Sequence, residues 1–229
     1  MTLRDLANAL LAALIAPPCA SCARILDEPL DGAVCDSCWR AVAASAVAPS
    51  TDRSRVLARL DAIGLYEGRL RDVIHALKYD GRRSIAPPLS RLMATHARDA
   101  LADADFVVPV PLHRKRQRER GFNQAEDLAR ELGKPVCCAL RRTRMTRPQV
   151  DLPAAERHLN VDDAFEVIGR SRDLIGRPKG RPLQGTIIVL VDDVATTGAT
   201  LEACARVLRA AGAREVRGLT AARVVSGPN

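Results

Sequence analysis

Aromatic residues are scarce in this chain, at 3% of its 229 residues, with two Tyr, three Phe and one Trp. A hydrophobic core built with so few rings must be mostly aliphatic. Proteins that bind single-stranded nucleic acid normally stack the bases on aromatic side chains. Phe122 is the only aromatic residue within the basic stretch described below. The shortage of aromatic residues therefore weakens, without excluding, a role as a single-strand binder.

Long hydrophobic runs are also missing. The apolar stretch at residues 3–15 is far too short to span a bilayer, which takes about 20 residues. Its apolar core of eight residues is at the short end for a secretion signal, and Asp5 lies in its flank. Pro17-Pro18 before Cys19 also argues against a lipoprotein-type cysteine. We therefore expect a cytoplasmic protein without a membrane span, whose first helix packs against a small metal-binding region.

The remaining composition is that of a globular protein, with 47% hydrophobic and 27% charged residues. The length allows one ordinary domain plus a small one. The net charge of +8 is unevenly spread, since residues 112–148 hold eleven Arg or Lys against four Asp or Glu. Such a patch favours a polyanionic partner, namely a pyrophosphate compound or nucleic acid. A solvated basic surface that only keeps the protein soluble is the simpler alternative.

Seven cysteines include two matched pairs, Cys19/Cys22 and Cys35/Cys38, with twelve residues between the inner cysteines. An odd total with paired CxxC units indicates a reducing compartment and a metal rather than a disulfide framework. Two CxxC turns at this distance provide four thiolates for one structural Zn²⁺. A redox pair and an iron–sulfur site are the alternatives. A region of some 25 residues buries little core, so the metal would supply its folding energy.

The apolar pattern of the rest of the chain alternates between strand and helix signals, which is typical of an α/β fold. Strands are predicted at residues 62–66, 106–112, 187–191 and 216–225, and helices at residues 70–79, 124–132 and 201–208.

A basic run at residues 113–124 shows no apolar period, so we expect a mobile loop. A mobile cationic loop after a strand suits closure over a pyrophosphate leaving group. It would equally suit a clamp on a nucleic-acid backbone. Asn123 is also expected to cap the following helix. The candidate residues of this pyrophosphate- or DNA-binding loop are Arg114, Arg116, Arg118, Arg120, Asn123 and Gln124.

The most informative stretch covers residues 187–200. Five apolar residues, four of them β-branched, predict a strand buried on both faces of a parallel sheet. Asp192 and Asp193 follow where the strand is expected to end, and a small-residue turn and a helix come next. Carboxylates at this end of a parallel strand suit sugar hydroxyls or a hydrated metal ion, and backbone N–H groups of such a turn bind phosphate. A solvated turn after a core strand is the simpler alternative.

This stretch resembles the signature of type I phosphoribosyltransferases, which bind 5-phosphoribosyl-1-pyrophosphate (PRPP). The resemblance implies a Rossmann-like parallel sheet with flanking helices, and Mg²⁺ carried mainly by the substrate. It also implies that Asp192 and Asp193, the catalytic pair, hold the ribose 2- and 3-hydroxyls. Lys78 would be the pyrophosphate-loop lysine, although a lysine at a helix C-terminus is also favoured by the helix dipole alone. The residues that would wrap the 5-phosphate are Ala195, Thr196, Thr197, Gly198, Ala199 and Thr200.

The order of the motifs along the chain narrows the resemblance. After the cysteine pairs come a Lys-Tyr turn, the sequence PVPL at 109–112, RGFNQ at 120–124 and DDVATTGAT at 192–200. Across essentially its whole length the chain resembles the ComF family of competence proteins, which includes the ComFC and GntX groups. Between RGFNQ and DDVATTGAT the resemblance also uses Gln149, Arg157, Asn160-Val161 and Phe165.

The Ala-, Ser-, Val- and Pro-rich composition of residues 41–54 indicates a helix tail and a linker, with a domain boundary near Arg53. The ComF resemblance then implies a type I phosphoribosyltransferase-like domain at residues 53–229, preceded by an N-terminal helix and zinc ribbon at residues 1–52. It further implies a PRPP-binding protein that engages single-stranded DNA during natural transformation. Its partners would then include DNA-uptake or helicase and recombination proteins. The alternative is an enzyme that transfers phosphoribose from PRPP to an unidentified acceptor. Thr196 stands where purine-salvage enzymes often carry an Asp, which argues against a purine acceptor.

Overall fold

The computed structural model describes residues 2–15, 17–47, 56–144, 164–168 and 183–224. The predicted domain boundary between residues 52 and 53 lies outside these ranges. Gln149, Arg157 and Asn160-Val161, on which part of the family resemblance rests, also lie outside the described residues. Within the described ranges, no helix has both the length and the apolar character needed to cross a membrane.

A four-stranded parallel sheet forms the centre of the molecule. Its members are β1 (Leu60–Leu65), β2 (Phe106–Pro109), β5 (Ile187–Ala195) and β6 (Glu215–Arg223), in the spatial order β1-β6-β5-β2. Two further strands among the described residues, β3 (Leu140–Arg142) and β4 (Phe165–Val167), form an antiparallel pair. Strand β5 lies between β6 and β2 and is buried over its first five residues, which confirms the predicted parallel-sheet strand.

Helices cover both faces of the sheet. The bounds are α1 (Leu3–Ile15), α2 (Asp36–Ala44), α3 (Gly68–Tyr79), α4 (Ala86–His96), α5 (Arg98–Ala102), α6 (Arg114–Arg120), α7 (Gln124–Arg130) and α8 (Ala199–Ala210), with single turns at Pro29–Asp31 and Arg83–Ile85. One aliphatic cluster joins the sheet to α3, α4, α7 and the cysteine ribbon. A second cluster on the opposite face joins it to α8 and the β3–β4 pair. This arrangement is the α/β architecture predicted from the alternating pattern.

The basic run at residues 113–124 contains a helix, so the prediction of a mobile loop was wrong. His113 caps α6 because its Nδ1 accepts a hydrogen bond from the Lys115 N–H at 3.2 Å. Gly121 ends α6 in the left-handed conformation with φ of 77°, which glycine adopts without strain. Arg, Lys, Gln and Glu have high intrinsic helix propensity. An exposed helix made of these residues needs no apolar stripe, so periodicity could not reveal it.

The end of β5 also differs from the prediction. Its ladder to β6 continues through Asp192, which is in register with Thr220, and through Val194, which is in register with Ala222. The strand therefore includes the acidic pair rather than ending before it. Because the backbone there is hydrogen-bonded in the sheet, the ladder to β6 fixes the positions from which both carboxylates project.

The cysteine ribbon at residues 17–44 is attached to the larger part of the chain by hydrogen bonds and shared apolar contacts. Arg69 Nη1 donates to the Ser21 carbonyl oxygen at 2.9 Å, and Ser21 Oγ donates to Asp72 Oδ2 at 3.1 Å. Trp39 is partly buried against the apolar cluster that includes Cys19 and Cys38. Helix α1 packs on the ribbon as expected. There the Leu30 N–H donates to Asn8 Oδ1 at 2.9 Å, and Arg4 pairs with Asp31.

Candidate functional site

A cleft of about 940 Å³ opens at the carboxyl ends of β2 and β5. In parallel α/β sheets this edge is where ligands bind. Residues from five parts of the chain line the cleft: the end of α3 and its following turn, the segment after β2, α6 and the residues that follow it, β3, and the β5–α8 region. The lining residues are Lys78, Tyr79, Asp80, Gly81, Val110, Pro111, Leu112, Arg116, Glu119, Arg120, Phe122, Gln124, Arg142, Asp192, Asp193, Val194, Thr196 and Thr200.

Lys78 and Asp193 form an ion pair in the floor of this cleft. Lys78 Nζ lies 2.7 Å from Asp193 Oδ1, and the two side chains are only 14% and 6% exposed. Burial alone lowers the pKa of a lysine, but the charges of Asp193 and Asp192 more than offset it, so the pKa of Lys78 lies above its ordinary value. Asp193 Oδ2 is buried without a hydrogen-bond partner among the described residues. One carboxylate oxygen is therefore held by the lysine, and the other has no such partner among the described residues.

Asp192 is partly buried beside Asp193 and lines the same cleft. Its Oδ1 accepts a hydrogen bond from the Asp193 N–H at 2.8 Å. Burial, together with the neighbouring Asp193 carboxylate, raises the pKa of Asp192 to about 7. The acidic pair thus holds one carboxylate neutralised by lysine and a second one that gains and loses a proton near neutral pH.

The small-residue segment at residues 195–200 joins β5 to α8. Gly198 adopts φ of 76° immediately before the helix, and the Ala199 N–H donates to Thr197 Oγ1 at 3.4 Å. Thr196 and Thr200 line the cleft, whereas Ala195, Thr197, Gly198 and Ala199 shape the turn behind them. The structure therefore presents the N-terminus of α8 beside the acidic pair, which is the geometry that favours an anion.

Helix α6 has a face toward the cleft and a face toward solvent. Arg116 and Arg120 are one helical turn apart, half-buried, and line the cleft. The Arg120 guanidinium also lies 5.0 Å from the centre of the Tyr79 ring, a distance typical of a cation–π contact. Arg114 and Arg118 are on the opposite face and are exposed. Of the four predicted arginines, the structure brings two to the acidic pair and leaves two outside.

Asn123 and Gln124 have different roles in the fold. Asn123 is buried, its Oδ1 accepts from the Ala125 N–H at 3.1 Å, and its Nδ2 donates to the Val110 carbonyl at 3.1 Å. It therefore caps α7 as predicted and ties that helix to the segment after β2. Gln124 lines the cleft, and its Oε1 is buried without a partner among the described residues.

Arg142 is a cleft residue that sequence reasoning missed. It lies on β3, 50 residues before Asp192, within a cationic stretch in which no single arginine stands out. Burial, together with the nearby Arg116, lowers its pKa, while its guanidinium lies 5.2 Å from the centre of the Phe165 ring. In a strand, alternate side chains point to opposite faces, so Arg141 is exposed and Arg142 is not. The sequence signal that could have identified Arg142 is this alternation along β3, and it can be used only if residues 140–142 are first predicted to be a strand.

The four cysteines converge as predicted. Their sulfur atoms all lie within 4.8 Å of one another, and this is the one such cluster of three or more potential metal ligands among the described residues. The Cys19–Cys38 and Cys22–Cys35 sulfur distances are 3.9 Å and 3.7 Å. A tetrahedral zinc site with Zn–S bonds of about 2.3 Å requires sulfur separations of about 3.8 Å, so the donor set fits Zn²⁺. The Ser21 and Cys35 N–H groups donate to Cys19 Sγ at 3.5 Å and 3.4 Å, which favours a thiolate.

Comparisons with known proteins show which domain family and which relatives the chain resembles. Residues 91–227 match the phosphoribosyl transferase domain family. The chain is 37% identical to the DNA utilization protein YhgH of Escherichia coli K12, with 69% of each chain covered. It is 32% identical to competence protein F of Haemophilus influenzae, with 68% of each covered. It is 29% identical to competence protein ComFC of Bacillus subtilis, with 83% of this chain and 77% of the other covered.

Solved structures that resemble the chain include two phosphoribosyl-transferring enzymes. The glutamine PRPP amidotransferase of B. subtilis is 22% identical, with a TM-score of 0.38 over 63% of this chain and 30% of the other. The orotate phosphoribosyltransferase of Aeropyrum pernix is 22% identical, with a TM-score of 0.34 over 67% of this chain and 76% of the other.

Proposed function

Since this chain belongs to the ComF family of competence proteins with a phosphoribosyltransferase domain, we propose that it binds PRPP with Mg²⁺ and acts in DNA uptake. In this proposal it engages single-stranded DNA in the cytoplasm. The names of its relatives refer to competence and to DNA utilization, and they support the proposed role in DNA uptake. The proposed binding of PRPP is supported by the geometry of the cleft.

The observation that carries the PRPP proposal is the acidic pair at the end of β5. Asp193 is neutralised by Lys78 at 2.7 Å, and it keeps a second, buried oxygen without a partner among the described residues. A carboxylate oxygen in this state favours a hydroxyl donor, because an unpaired buried acceptor costs about 1–3 kcal/mol. The ribose 2- and 3-hydroxyls of PRPP are such donors, and Asp192 lies beside Asp193 for the second hydroxyl.

The charged ends of PRPP match the two sides of the acidic pair. On one side, the N-terminus of α8 with Thr196 and Thr200 suits the 5-phosphate. On the other side, Lys78, Arg116, Arg120 and Arg142 face a shared space that suits the pyrophosphate. The Mg²⁺ ion would be carried mainly by pyrophosphate oxygens, since it usually has few protein ligands.

Helix α6 explains how one basic segment can serve two anions. Its inner arginines, Arg116 and Arg120, line the cleft. Its outer residues Arg114, Lys115 and Arg118 are exposed, and their charges are available to a nucleic-acid backbone. We assign PRPP to the inner face and DNA to the outer face.

The alternative function is transfer of phosphoribose to an acceptor. The convergence of four cations on the cleft favours it, because cations stabilise a departing pyrophosphate. Release of pyrophosphate from Mg²⁺-PRPP in the presence of nucleobases, nucleotides or single-stranded DNA would support transfer. Binding of PRPP without pyrophosphate release would leave the cleft as a binding site.

Calorimetric titration of Mg²⁺-PRPP tests the proposal. We expect the wild-type protein to bind PRPP, and Asp192→Asn/Asp193→Asn to bind it at least about 100-fold more weakly, since two hydrogen bonds donated by hydroxyls to carboxylates contribute about 1.5–3 kcal/mol each. Glu119→Gln removes an exposed carboxylate from the same cleft and should change the affinity by less than about threefold. Absence of binding to folded, zinc-loaded wild-type protein would overturn the PRPP proposal.

Salt dependence of DNA binding tests the outer face of α6. Each phosphate contact to a single strand contributes a slope of about −0.7 to log K against log salt concentration. Replacing Arg114, Lys115 and Arg118 by Ala should therefore reduce the slope by about 2. The matched control replaces three exposed arginines on other helices, Arg40, Arg91 and Arg98, and should leave the slope unchanged. Equal slopes for both triple variants would refute the assignment.

A further inference from the structure

A second groove, of about 520 Å³, lies between the cysteine ribbon and the turn that follows α3. Its ribbon wall is mainly apolar, and its opposite wall is polar and cationic. The residues that line it are Pro17, Leu26, Pro29, Gly32 and Ala33 from the ribbon, and Asp80, Gly81, Arg82, Arg83 and Ser84 from the turn. Neither the acidic pair nor α6 contributes to this groove.

The groove adjoins the main cleft. Asp80 and Gly81 line both spaces, so a single turn of the chain separates them. Tyr79 precedes this turn, is 61% exposed and lines the main cleft. The Arg120 guanidinium of α6 lies over its ring at 5.0 Å. A linear ligand that leaves the C-terminal end of α6 at Arg120 would pass this exposed ring and then enter the groove.

Two arginines give the groove its charge. Arg83 is fixed by a bidentate pair with Asp127, with both N–O distances 2.7 Å, and its guanidinium lies 5.3 Å from the centre of the Phe122 ring. The Arg82 side chain has no ion-pair or hydrogen-bond partner in the part of the chain that the structure describes. Among the described residues that line the groove, Asp80 is the only carboxylate. Because Arg83 is paired with Asp127, the Arg82 guanidinium is the cation that the groove offers to an anion.

The ribbon wall is held in place by the body of the protein. Ser21 bonds to Arg69 and Asp72 of α3, and Leu26, Ala33 and the buried cysteines share an apolar cluster with the sheet. A fixed apolar wall facing cations suits a nucleic-acid strand, whose bases contact apolar surface while its phosphates meet arginine. A small polyanion such as pyrophosphate would make no use of the apolar wall.

We propose that this groove is a second subsite for single-stranded DNA, continuous with the segment bound at α6. Tyr79 stacks a base at the junction, Arg82 contacts a phosphate, and the ribbon forms the outer wall. The inference rests on the proposed DNA binding. It also gives the ribbon a direct part in binding rather than a purely structural one.

The test measures the affinity of oligothymidylates of increasing length and its salt dependence. Arg82→Ala should lower the salt slope by about 0.7 for long oligonucleotides and have no effect on oligonucleotides too short to leave α6. Arg24→Ala removes an exposed charge from the ribbon outside the groove and should behave as wild type. Tyr79→Ala should weaken binding of the long oligonucleotides about tenfold, while Tyr79→Phe should bind them as wild type does.

A photo-crosslink locates the strand directly. Oligothymidylates are prepared with 4-thiothymidine at successive positions. Only those with the label near one end of the strand should crosslink to residues 26–29 of the ribbon. If the wild-type protein binds no single-stranded DNA, the proposed DNA function fails and the groove assignment fails with it. The groove assignment alone is refuted by a combination of three results. The α6 triple variant reduces the salt slope, Arg82→Ala and Arg24→Ala have the same salt slope, and no crosslink reaches the ribbon.

Discussion

Replacing Asp192 by Asn is expected to stabilise the protein at alkaline pH while it weakens PRPP binding. Folding raises the pKa of Asp192 from an ordinary value of 3.8 to about 7. A group with this change opposes folding when it is ionised, because the unfolded chain then carries the charge at lower free energy. At pH 8 the raised pKa lowers the free energy of unfolding by about 4 kcal/mol. At pH 5, where the carboxyl is protonated in the folded protein, it lowers that free energy by about 2 kcal/mol.

The destabilisation caused by Asp192 depends on pH, so unfolding must be measured at two pH values. The raised pKa means that the penalty is absent at low pH and grows as the pH rises from about 4 through 7. Urea unfolding should therefore show Asp192→Asn more stable than wild type by about 4 kcal/mol at pH 8 and by about 2 kcal/mol at pH 5. Asparagine keeps an acceptor for the Asp193 N–H, so no new unpaired donor arises. Loss of zinc at low pH would affect both proteins equally and cancels in the difference.

Lys78→Met provides the opposite perturbation in the same cleft. It removes the partner at 2.7 Å from a carboxylate that is 6% exposed, and breaking a buried pair in this way costs about 3–5 kcal/mol. The loss should be larger at pH 8 than at pH 5, because Asp192, with a pKa raised to about 7, adds its charge beside the orphaned Asp193 carboxylate only at the higher pH. An Asp192→Asn protein no more stable than wild type at pH 8, or a Lys78→Met protein of unchanged stability, would refute the description of the acidic pair as desolvated and lysine-compensated.

Two further predictions concern the ribbon and α6. Removing zinc with a chelator should change the fluorescence of Trp39, the only tryptophan in the chain, because this ring is partly buried against the cluster that contains Cys19 and Cys38. A chelated protein with unchanged Trp39 emission and no released zinc would contradict the four-cysteine site. Gly121→Ala should destabilise α6 by about 1 kcal/mol, since alanine is strained at φ of 77°. Faster amide exchange at residues 117–120 in Gly121→Ala would show this loss of stability. Amides that already exchange without protection in the wild-type protein would contradict the helix.

The sequence alone determined the elements whose signals are local. The apolar run before Asp192 predicted the buried strand, because a strand covered on both faces needs uninterrupted aliphatic residues. The spacing of Cys19/Cys22 and Cys35/Cys38 predicted the metal site, because two tight turns can point four sulfurs at one ion. The acidic pair and the small-residue turn followed from their order along the chain. In each case a few adjacent residues carry the physical constraint.

Tertiary structure alone decided which distant groups meet. The sequence left Lys78 with two interpretations and gave no sign of its partner. The structure pairs its amine with Asp193, which lies 115 residues later. Arg142 reaches the cleft because β3 alternates its side chains, and α6 divides its arginines because a helix has two faces. The groove beside the ribbon depends on the hydrogen bonds of Ser21 to α3 and on the apolar cluster that the ribbon shares with the sheet. Contacts between distant residues depend on packing over the whole sheet, and periodicity within one segment contains no information about them.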